Sequence, residues 1–173
     1  MANVVLVVDM VRGFLESGHN LYCGDDARTI IPNVQTLLER EKAAGSAILF
    51  ISDHHDPDDL EFQIFPVHCV KGTEEPNVIP ELTAFVTESN VVPKNRYSGF
   101  FNTDLAQRLE SLNPEKIIVC GVCTDICVMH TSADARNRDY AVEVPADCVA
   151  SFNADAHAWA LNHIKNILGA KVV

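Results

Sequence analysis

Short apolar runs rich in β-branched residues alternate with amphipathic segments along the chain. The first run, NVVLVVDM at residues 3–10, is continuously apolar, which predicts a strand covered on both faces. Further strands are predicted at residues 47–53, 90–94, 116–121 and 141–145. Buried strands of this kind belong to a parallel sheet when helices separate them in sequence.

Helical patterns lie between these strands. Residues 30–44 carry apolar side chains at helical spacing and end at a glycine, and residues 102–112 begin with capping residues and repeat leucine. Two more helices are predicted from residue 124 to about residue 138 and over residues 153–168. The expected fold is therefore α/β, a three-layer α/β/α arrangement with a mostly parallel central sheet. At 173 residues, the chain is expected to form a single domain spanning residues 1–173.

Charge and hydropathy exclude several classes of partner. The formal net charge is -11 and the sequence pI is about 4.9, so no basic surface for nucleic acid or an anionic membrane is expected. No apolar stretch approaches the roughly 20 residues of a membrane span, and the first residues lack the basic region of a signal peptide. We expect a cytoplasmic protein with a small-molecule partner.

Six cysteines occur in the chain, and without an export signal they are expected to be thiols rather than disulfides. They are Cys23, Cys69, Cys120, Cys123, Cys127 and Cys148. A structural zinc site would need a second close pair besides Cys120 and Cys123, and the sequence has none. Cys120 lies inside an apolar run, which indicates a small buried side chain.

Ionisable residues stand at the predicted carboxyl ends of four strands. Asp9, Asp53 and Lys94 end the first three, and the fourth leads into the turn that carries Cys127. Ligands bind at this edge of an open parallel sheet. A thiol nucleophile needs a base to take its proton and a cation to hold the thiolate, and these residue types supply both. Each residue alone could equally cap a loop.

Two cysteines compete for the role of nucleophile. Cys127 lies near the start of a helix opened by Thr124 and Asp125, where the positive end of the helix dipole lowers a thiol pKa. Cys123 lies in the preceding turn. Helix position favours Cys127, but the residues alone leave the choice open.

A second group of polar residues occupies the long segment after the second strand. Asp53 and His55 are two residues apart, so an extended segment points both side chains to one side, and Glu61 and His68 follow. Two histidines with one or two carboxylates suit Zn²⁺, Fe²⁺ or Mn²⁺. The alternative is a solvated acidic loop.

The chain resembles the isochorismatase-like cysteine hydrolases, and among them the nicotinamidases, over nearly its whole length. VVDMVRGFL is similar to the segment with the catalytic aspartate, which implies Asp9 in that role and Phe14 against the substrate ring. VPKNRYSGF implies a catalytic Lys94. GVCTDICV is similar to the signature G-V-x-T-D-x-C-V, in which the last cysteine is the nucleophile, here Cys127.

The same resemblance implies a metal site. DHHDP followed by FPVHCVKGT resembles the nicotinamidase metal segment, with Asp53, His55 and His68 as ligands and Glu61 at the place of an additional carboxylate. Zinc is the favoured ion, with iron or manganese as alternatives. Phe65 stands where the family often has tryptophan, as a second substrate-binding residue.

A cis peptide bond between Val122 and Cys123 is also implied, with the N–H groups of Cys123 and Cys127 in an oxyanion hole. Cys123 replaces the alanine common among nicotinamidases. The implied activity is hydrolysis of nicotinamide to nicotinate and ammonia through a cysteine thioester. Two alternatives are an amidase for another small carboxamide or carbamoyl compound and a thiol-rich redox-sensing or metal-storage protein. A homo-oligomer is a possible assembly.

Overall fold

A seven-stranded sheet forms the centre of the molecule, whose computed structural model describes residues 2–173. The strands are β1 Val4–Val8, β2 Ala47–Asp53, β3 Val91–Lys94, β4 Ile117–Val122, β5 Val142–Val144, β6 Val149–Ala150 and β7 Lys171–Val172. Their spatial order is β3-β2-β1-β4-β5-β7, with β6 paired to the end of β4. Every one of these strand pairs is parallel, which confirms the predicted α/β class.

Six α-helices connect the strands. They are α1 Arg12–Leu15, α2 Asp25–Arg28, α3 Ile31–Ala43, α4 Leu105–Leu112, α5 Met129–Arg136 and α6 Ala154–Asn166. Short 3₁₀ helices lie at Leu60–Gln63, Pro80–Phe85 and Ala146–Cys148, and a π-helical turn at Thr124–Val128 leads into α5. The four long predicted helices are confirmed; α1, α2, β6 and β7 are too short to show a periodicity. Within residues 2–173, every helix is too short or too polar to cross a membrane.

Helices cover both faces of the sheet. Alternate residues of β1 point to opposite sides, with Val5 and Val7 in one hydrophobic core and Leu6 in the other. The first core contains Leu37 of α3, and the second contains Leu109 of α4 together with residues of α5 and α6. The three-layer α/β/α prediction is therefore confirmed.

The order of strands reverses at β1. β2 and β3 lie on one side of β1, and β4 lies on the other, so the carboxyl ends of β1 and β4 border the crevice where ligands bind in such sheets. Gly121 near the end of β4 has a φ of +113°, and a Cβ there would lie 2.0 Å from the Val8 carbonyl oxygen. Glycine thus allows the two strands to approach closely just before the turn that carries the candidate nucleophiles.

All six cysteines are free and buried. Cys120 is fully buried, and its thiol lies 3.7 Å from the carbonyl oxygen of Leu6 in the adjacent strand. This confirms the interpretation of Cys120 as a small buried side chain.

Candidate active site

The ionisable groups predicted at the strand ends meet around Lys94. Its Nζ lies 2.9 Å from Asp9 Oδ2 and 3.6 Å from Cys127 Sγ, and it donates a hydrogen bond to Asp53 Oδ1. All four side chains are buried. A buried ammonium between two carboxylates and a thiol is the arrangement that a thiol nucleophile requires.

Asp9 is oriented by the backbone of the neighbouring strand. The residue has a φ of +51°, and its Oδ1 accepts a hydrogen bond of 2.9 Å from the Asp53 N–H. Oδ2 faces Lys94 as an ion pair but accepts no aligned hydrogen bond within residues 2–173. Burial and the nearby charge of Asp53 raise the pKa of Asp9 to about 6, although Lys94 opposes the increase. The raised pKa makes Asp9 a candidate proton acceptor beside the Lys94 ammonium.

Cys127 lies in the π-helical turn beside these groups. One oxygen each from Asp9 and Asp53 and the Cys127 sulfur all lie within 4.8 Å of one another. Burial raises the pKa of the Cys127 thiol well above its usual value, and Lys94 offsets only part of the increase. The expectation of a lowered pKa from the helix terminus was wrong, because complete desolvation of the thiolate outweighs that dipole. Asp9, with one carboxylate oxygen within 4.8 Å of the sulfur, is the candidate base for this thiol.

The turn between β4 and the helix contains the other predicted residues. The peptide bond between Val122 and Cys123 is cis, as the resemblance implies. The Cys123 carbonyl accepts hydrogen bonds from the N–H groups of Ile126 and Val128 at 3.0 and 3.2 Å. These bonds hold the residues on either side of Cys127 in a fixed turn.

A histidine and carboxylate cluster adjoins Lys94. One donor atom each from Asp53, His55 and His68 lies within 4.8 Å of the others, and both histidine Nε2 atoms are 3.5 Å from Asp53 Oδ2. Burial alone would raise the pKa of Asp53, but Lys94 and the two histidines lower it. Asp53 is thus a carboxylate that faces Lys94 with one oxygen and the cluster with the other.

The histidine rings are oriented as metal ligands. His68 Nδ1–H donates to the carbonyl oxygen of Pro66 at 2.7 Å, and His55 Nδ1–H donates to Asp59 Oδ2 at 3.0 Å. With Nδ1 as the donor, the neutral form of each ring would offer the lone pair of Nε2, which faces Asp53, to a metal ion. His55 Nε2 is buried and accepts no hydrogen bond from the described residues. Two imidazole nitrogens and a carboxylate with such an orphaned nitrogen fit a divalent metal ion.

Glu61 lies beside the metal cluster rather than within it. Its Oε1 is 3.9 Å from His68 Nε2, and its Oε2 is 4.0 Å from Arg96 Nη1. Burial and the charge of Asp53 raise the pKa of Glu61. Its role as a further ligand stays a prediction.

A narrow cavity opens between the thiol and the cluster. Phe14 and Phe65, the two predicted substrate-binding residues, both line it. Their ring centroids lie 5.7 and 6.3 Å from that of His68. The walls also include Asp9, Asp53, Glu61, His68, Val122, Cys123 and Cys127. A flat aromatic ligand in this cavity would have the thiol and the candidate metal site within reach.

The isochorismatase domain model matches residues 3–173. The chain belongs to the isochorismatase family. The isochorismatase family protein PncA of Bacillus subtilis (strain 168) is 36% identical over 181 residues, covering 99% of each chain. The resemblance inferred from the motifs is thus confirmed, and the protein is a hydrolase of this family.

Solved structures agree with this assignment. The pyrazinamidase/nicotinamidase of Streptococcus mutans UA159 superposes with a TM-score of 0.93 at 32% identity, over 99% of this chain and all of the other. The pyrazinamidase of Pyrococcus horikoshii in complex with zinc gives a TM-score of 0.89 at 28% identity, over 100% and 99%. The likeness extends over the whole of each chain and includes every element that carries the site.

Several residues that line this cavity were not predicted. Leu21, Tyr97, Ile126 and Phe152 complete the cavity walls. Tyr97 follows Lys94 by three positions, so its proximity could have been inferred from the same segment. Phe152 comes from a distant segment, and no local pattern distinguishes it.

Asp59 and Arg96 form a second unpredicted pair. Arg96 Nη1 donates to both carboxylate oxygens of Asp59 at 2.9 and 3.2 Å, and Asp59 in turn holds His55. Asp59 lies in an acidic segment where Asp56 and Asp58 look equivalent, so only its spacing of four from His55 could have indicated a role.

Proposed function

We propose that this hydrolase cleaves nicotinamide to nicotinate and ammonia with Cys127 as the nucleophile. The observation that carries the proposal is the contact of the Lys94 ammonium with both Asp9 and Cys127 at the wall of an aromatic cavity. The likeness to a pyrazinamidase/nicotinamidase over the full chain supports an aromatic carboxamide as substrate.

The first half of the reaction forms a thioester. Asp9 takes the proton of Cys127, and Lys94 stabilises the thiolate while it attacks the carboxamide carbon. The N–H groups of Cys123 and Cys127 hold the oxyanion of the tetrahedral intermediate. Protonated Asp9 then donates its proton to the leaving ammonia, and the acyl group stays on sulfur.

The second half releases the acid. Asp9, again a carboxylate, takes a proton from a water molecule that attacks the thioester carbon. Collapse of the intermediate expels the Cys127 sulfur, which regains its proton. Phe14 and Phe65 pack against the ring of the substrate and exclude bulk water from the reacting carbon.

Asp53, His55 and His68 are proposed to hold one divalent metal ion, with Glu61 as a further candidate ligand. The donor set favours zinc, with iron or manganese as alternatives, and the pyrazinamidase of Pyrococcus horikoshii was solved with zinc. Held by these residues, such an ion would supply a Lewis acid for the pyridine nitrogen of the substrate and would so help to orient the ring. The remaining oxygen of Asp53 keeps Lys94 in place beside the nucleophile.

Ammonia release from three substrates tests the assignment. The metal-loaded protein is expected to hydrolyse nicotinamide and pyrazinamide faster than a small carbamoyl compound. Faster turnover of the carbamoyl compound would indicate that the enzyme acts on carbamoyl compounds rather than on aromatic carboxamides. Turnover of none of the three would refute the amidase proposal.

The thiol-rich storage alternative finds no support in residues 2–173. Two groups of three potential metal ligands lie close together in these residues, and neither contains more than one cysteine. Cys120, for example, lies in β4, where its buried thiol faces the carbonyl oxygen of Leu6 in the adjacent strand. A soft metal ion would need several converging thiolates.

Asp59→Asn tests how the metal site is supported. The amide keeps the size of the side chain but weakens the charge-assisted bond that orients His55. Metal affinity, measured by competition with a chelator, is expected to fall by about 10- to 100-fold. Asp58→Asn, an exposed change one residue earlier, is the matched control. Equal affinities in the two variants would show that Asp59 does not support the site.

A further inference from the structure

Two cysteine sulfurs that take no part in the proposed chemistry touch beside the turn after β4. Cys23 Sγ and Cys123 Sγ are 3.6 Å apart although the residues are separated by 100 positions in the chain. Their exposed fractions are 8% and 5%. Two thiols in contact at this distance share a hydrogen bond and need little movement to form a covalent bond.

The two thiols are attached to different segments beside the active-site cavity: Cys123 lines the cavity, whereas Cys23 lies behind Phe14, which lines it. The Cys23 N–H donates to the carbonyl oxygen of Phe14 at 2.8 Å, so Cys23 is fixed to the segment that packs against the substrate ring. Cys123 belongs to the turn that carries Cys127, and its side chain lines the cavity. A bond between the two sulfurs would tie the Phe14 segment to the nucleophile turn.

We propose that Cys23 and Cys123 are a modification site at which a hydroperoxide forms a reversible disulfide that stops hydrolysis. The sulfurs must approach by about 1.5 Å, from 3.6 Å to the bond length of about 2.05 Å. That movement displaces Cys123 within the turn and with it the N–H groups proposed to hold the oxyanion. The effect on activity rests on the proposed function, whereas formation of the bond does not.

The reaction balances with hydrogen peroxide as oxidant. Cys23 as thiolate attacks one peroxide oxygen, which breaks the O–O bond, releases water after protonation and leaves a sulfenic acid on Cys23. The Cys123 sulfur then attacks the Cys23 sulfur, the S–O bond breaks, and the Cys123 proton leaves with the hydroxide as a second water. Two thiols are oxidised by two electrons, and the peroxide is reduced to two waters. An added dithiol reverses the reaction by exchange.

The two thiols have unequal surroundings. Cys23 also borders a second, wider groove together with Gly24 and Asp25, which offers a small oxidant a path that avoids the substrate cavity. The hydrogen bond with Cys23 and burial raise the pKa of Cys123. Because Cys23 borders this groove, it is the thiol that reacts first, and Cys123 is the one that resolves the sulfenic acid.

Peptide mapping tests the bond directly. The Cys127→Ala protein is treated with hydrogen peroxide, free thiols are alkylated after unfolding, and the digest is analysed by mass spectrometry. A cross-linked peptide pair containing Cys23 and Cys123 is expected, and dithiothreitol should remove it. A matched variant that also carries Cys148→Ser should keep the cross-link. Separate alkylation of Cys23 and Cys123 after peroxide treatment would overturn the proposal.

Activity tests the consequence. Hydrogen peroxide is expected to abolish most of the ammonia release by the protein without substitutions and by Cys148→Ser. Dithiothreitol should restore the activity of both proteins. Cys23→Ser should keep its activity in the presence of peroxide. If peroxide inactivates Cys23→Ser to the same extent, another thiol is responsible for the loss of activity, and the proposed Cys23–Cys123 disulfide does not control hydrolysis. Because mapping needs neither Cys127 nor a substrate, its outcome is independent of whether the untreated protein hydrolyses nicotinamide.

Discussion

Replacement of Cys127 by alanine is expected to abolish ammonia release from nicotinamide while the ligand still binds. The sulfur is the atom proposed to form the thioester, and neither Asp9 nor Lys94 offers a substitute nucleophile. Removing the nucleophile of such a catalytic group lowers kcat by about 10⁴-fold or more. Ammonia release in a single-turnover assay measures the loss, and calorimetric titration with nicotinamide measures the retained binding.

A matched cysteine separates this effect from damage to the core. Cys148 is as deeply buried as Cys127, and within residues 2–173 its thiol donates a hydrogen bond of 3.4 Å to the neighbouring Asp147 Oδ1, outside the site cavity. Cys148→Ala is therefore expected to keep turnover within a small factor. Sustained ammonia release by Cys127→Ala would exclude Cys127 as the nucleophile and return the role to Cys123.

Lys94→Met is expected to cause the largest loss of stability along with loss of activity. The substitution keeps an unbranched apolar chain but removes the ammonium, and so leaves the carboxylates of Asp9 and Asp53 buried without their shared cation. Removing one partner of a buried ion pair costs about 3–5 kcal/mol. Urea unfolding of the metal-free protein measures this decrease in the free energy of unfolding, and the ammonia assay measures turnover.

Lys71→Met is the control, because Lys71 pairs with Asp56 at 2.7 Å where both side chains are about half exposed. A surface pair of this kind contributes about 0–1 kcal/mol. If Lys94→Met and Lys71→Met have similar free energies of unfolding, the Lys94 ammonium does not neutralise the carboxylates of Asp9 and Asp53 as the distances indicate.

Asp53 connects the two halves of the site. Its Oδ1 accepts from Lys94, and its Oδ2 lies 3.5 Å from the Nε2 atoms of both His55 and His68. Lys94 also touches Cys127, so the proposed nucleophile is connected to the candidate metal ligands through Lys94 and the Asp53 carboxylate. A metal ion held by these ligands would therefore lie beside the proposed nucleophile, where it could help to orient a small ring.

Local patterns were enough to predict most of the fold. A strand buried on both faces must be continuously apolar, as in β1, and a helix that covers a sheet must repeat its apolar residues at helical spacing, as in α3. Asp9, Asp53 and Lys94 were also predicted as site residues from their positions at the ends of strands, because parallel strands bring their carboxyl ends to the same edge of the sheet. Short elements such as β6 were missed because two residues carry no periodicity.

The choice between the two candidate nucleophiles needed more than spacing. From the residues alone, either Cys123 or Cys127 could be the nucleophile, and the family signature favoured Cys127. In the structure the Cys127 sulfur lies 3.6 Å from Lys94, whereas the Cys123 sulfur faces Cys23. Burial also reversed the pKa shift expected from the helix terminus, because desolvation depends on what packs around a thiol.

The sequence by itself determined the α/β class, the sheet edge that carries the chemistry and the residue types that meet there. These properties follow from periodicity and from the geometry of parallel strands, which are local. Only the tertiary structure decided that Asp59 supports His55 with the help of Arg96, and that Cys23 touches Cys123. Such contacts join segments far apart in the chain, and packing and strand register determine which side chains meet.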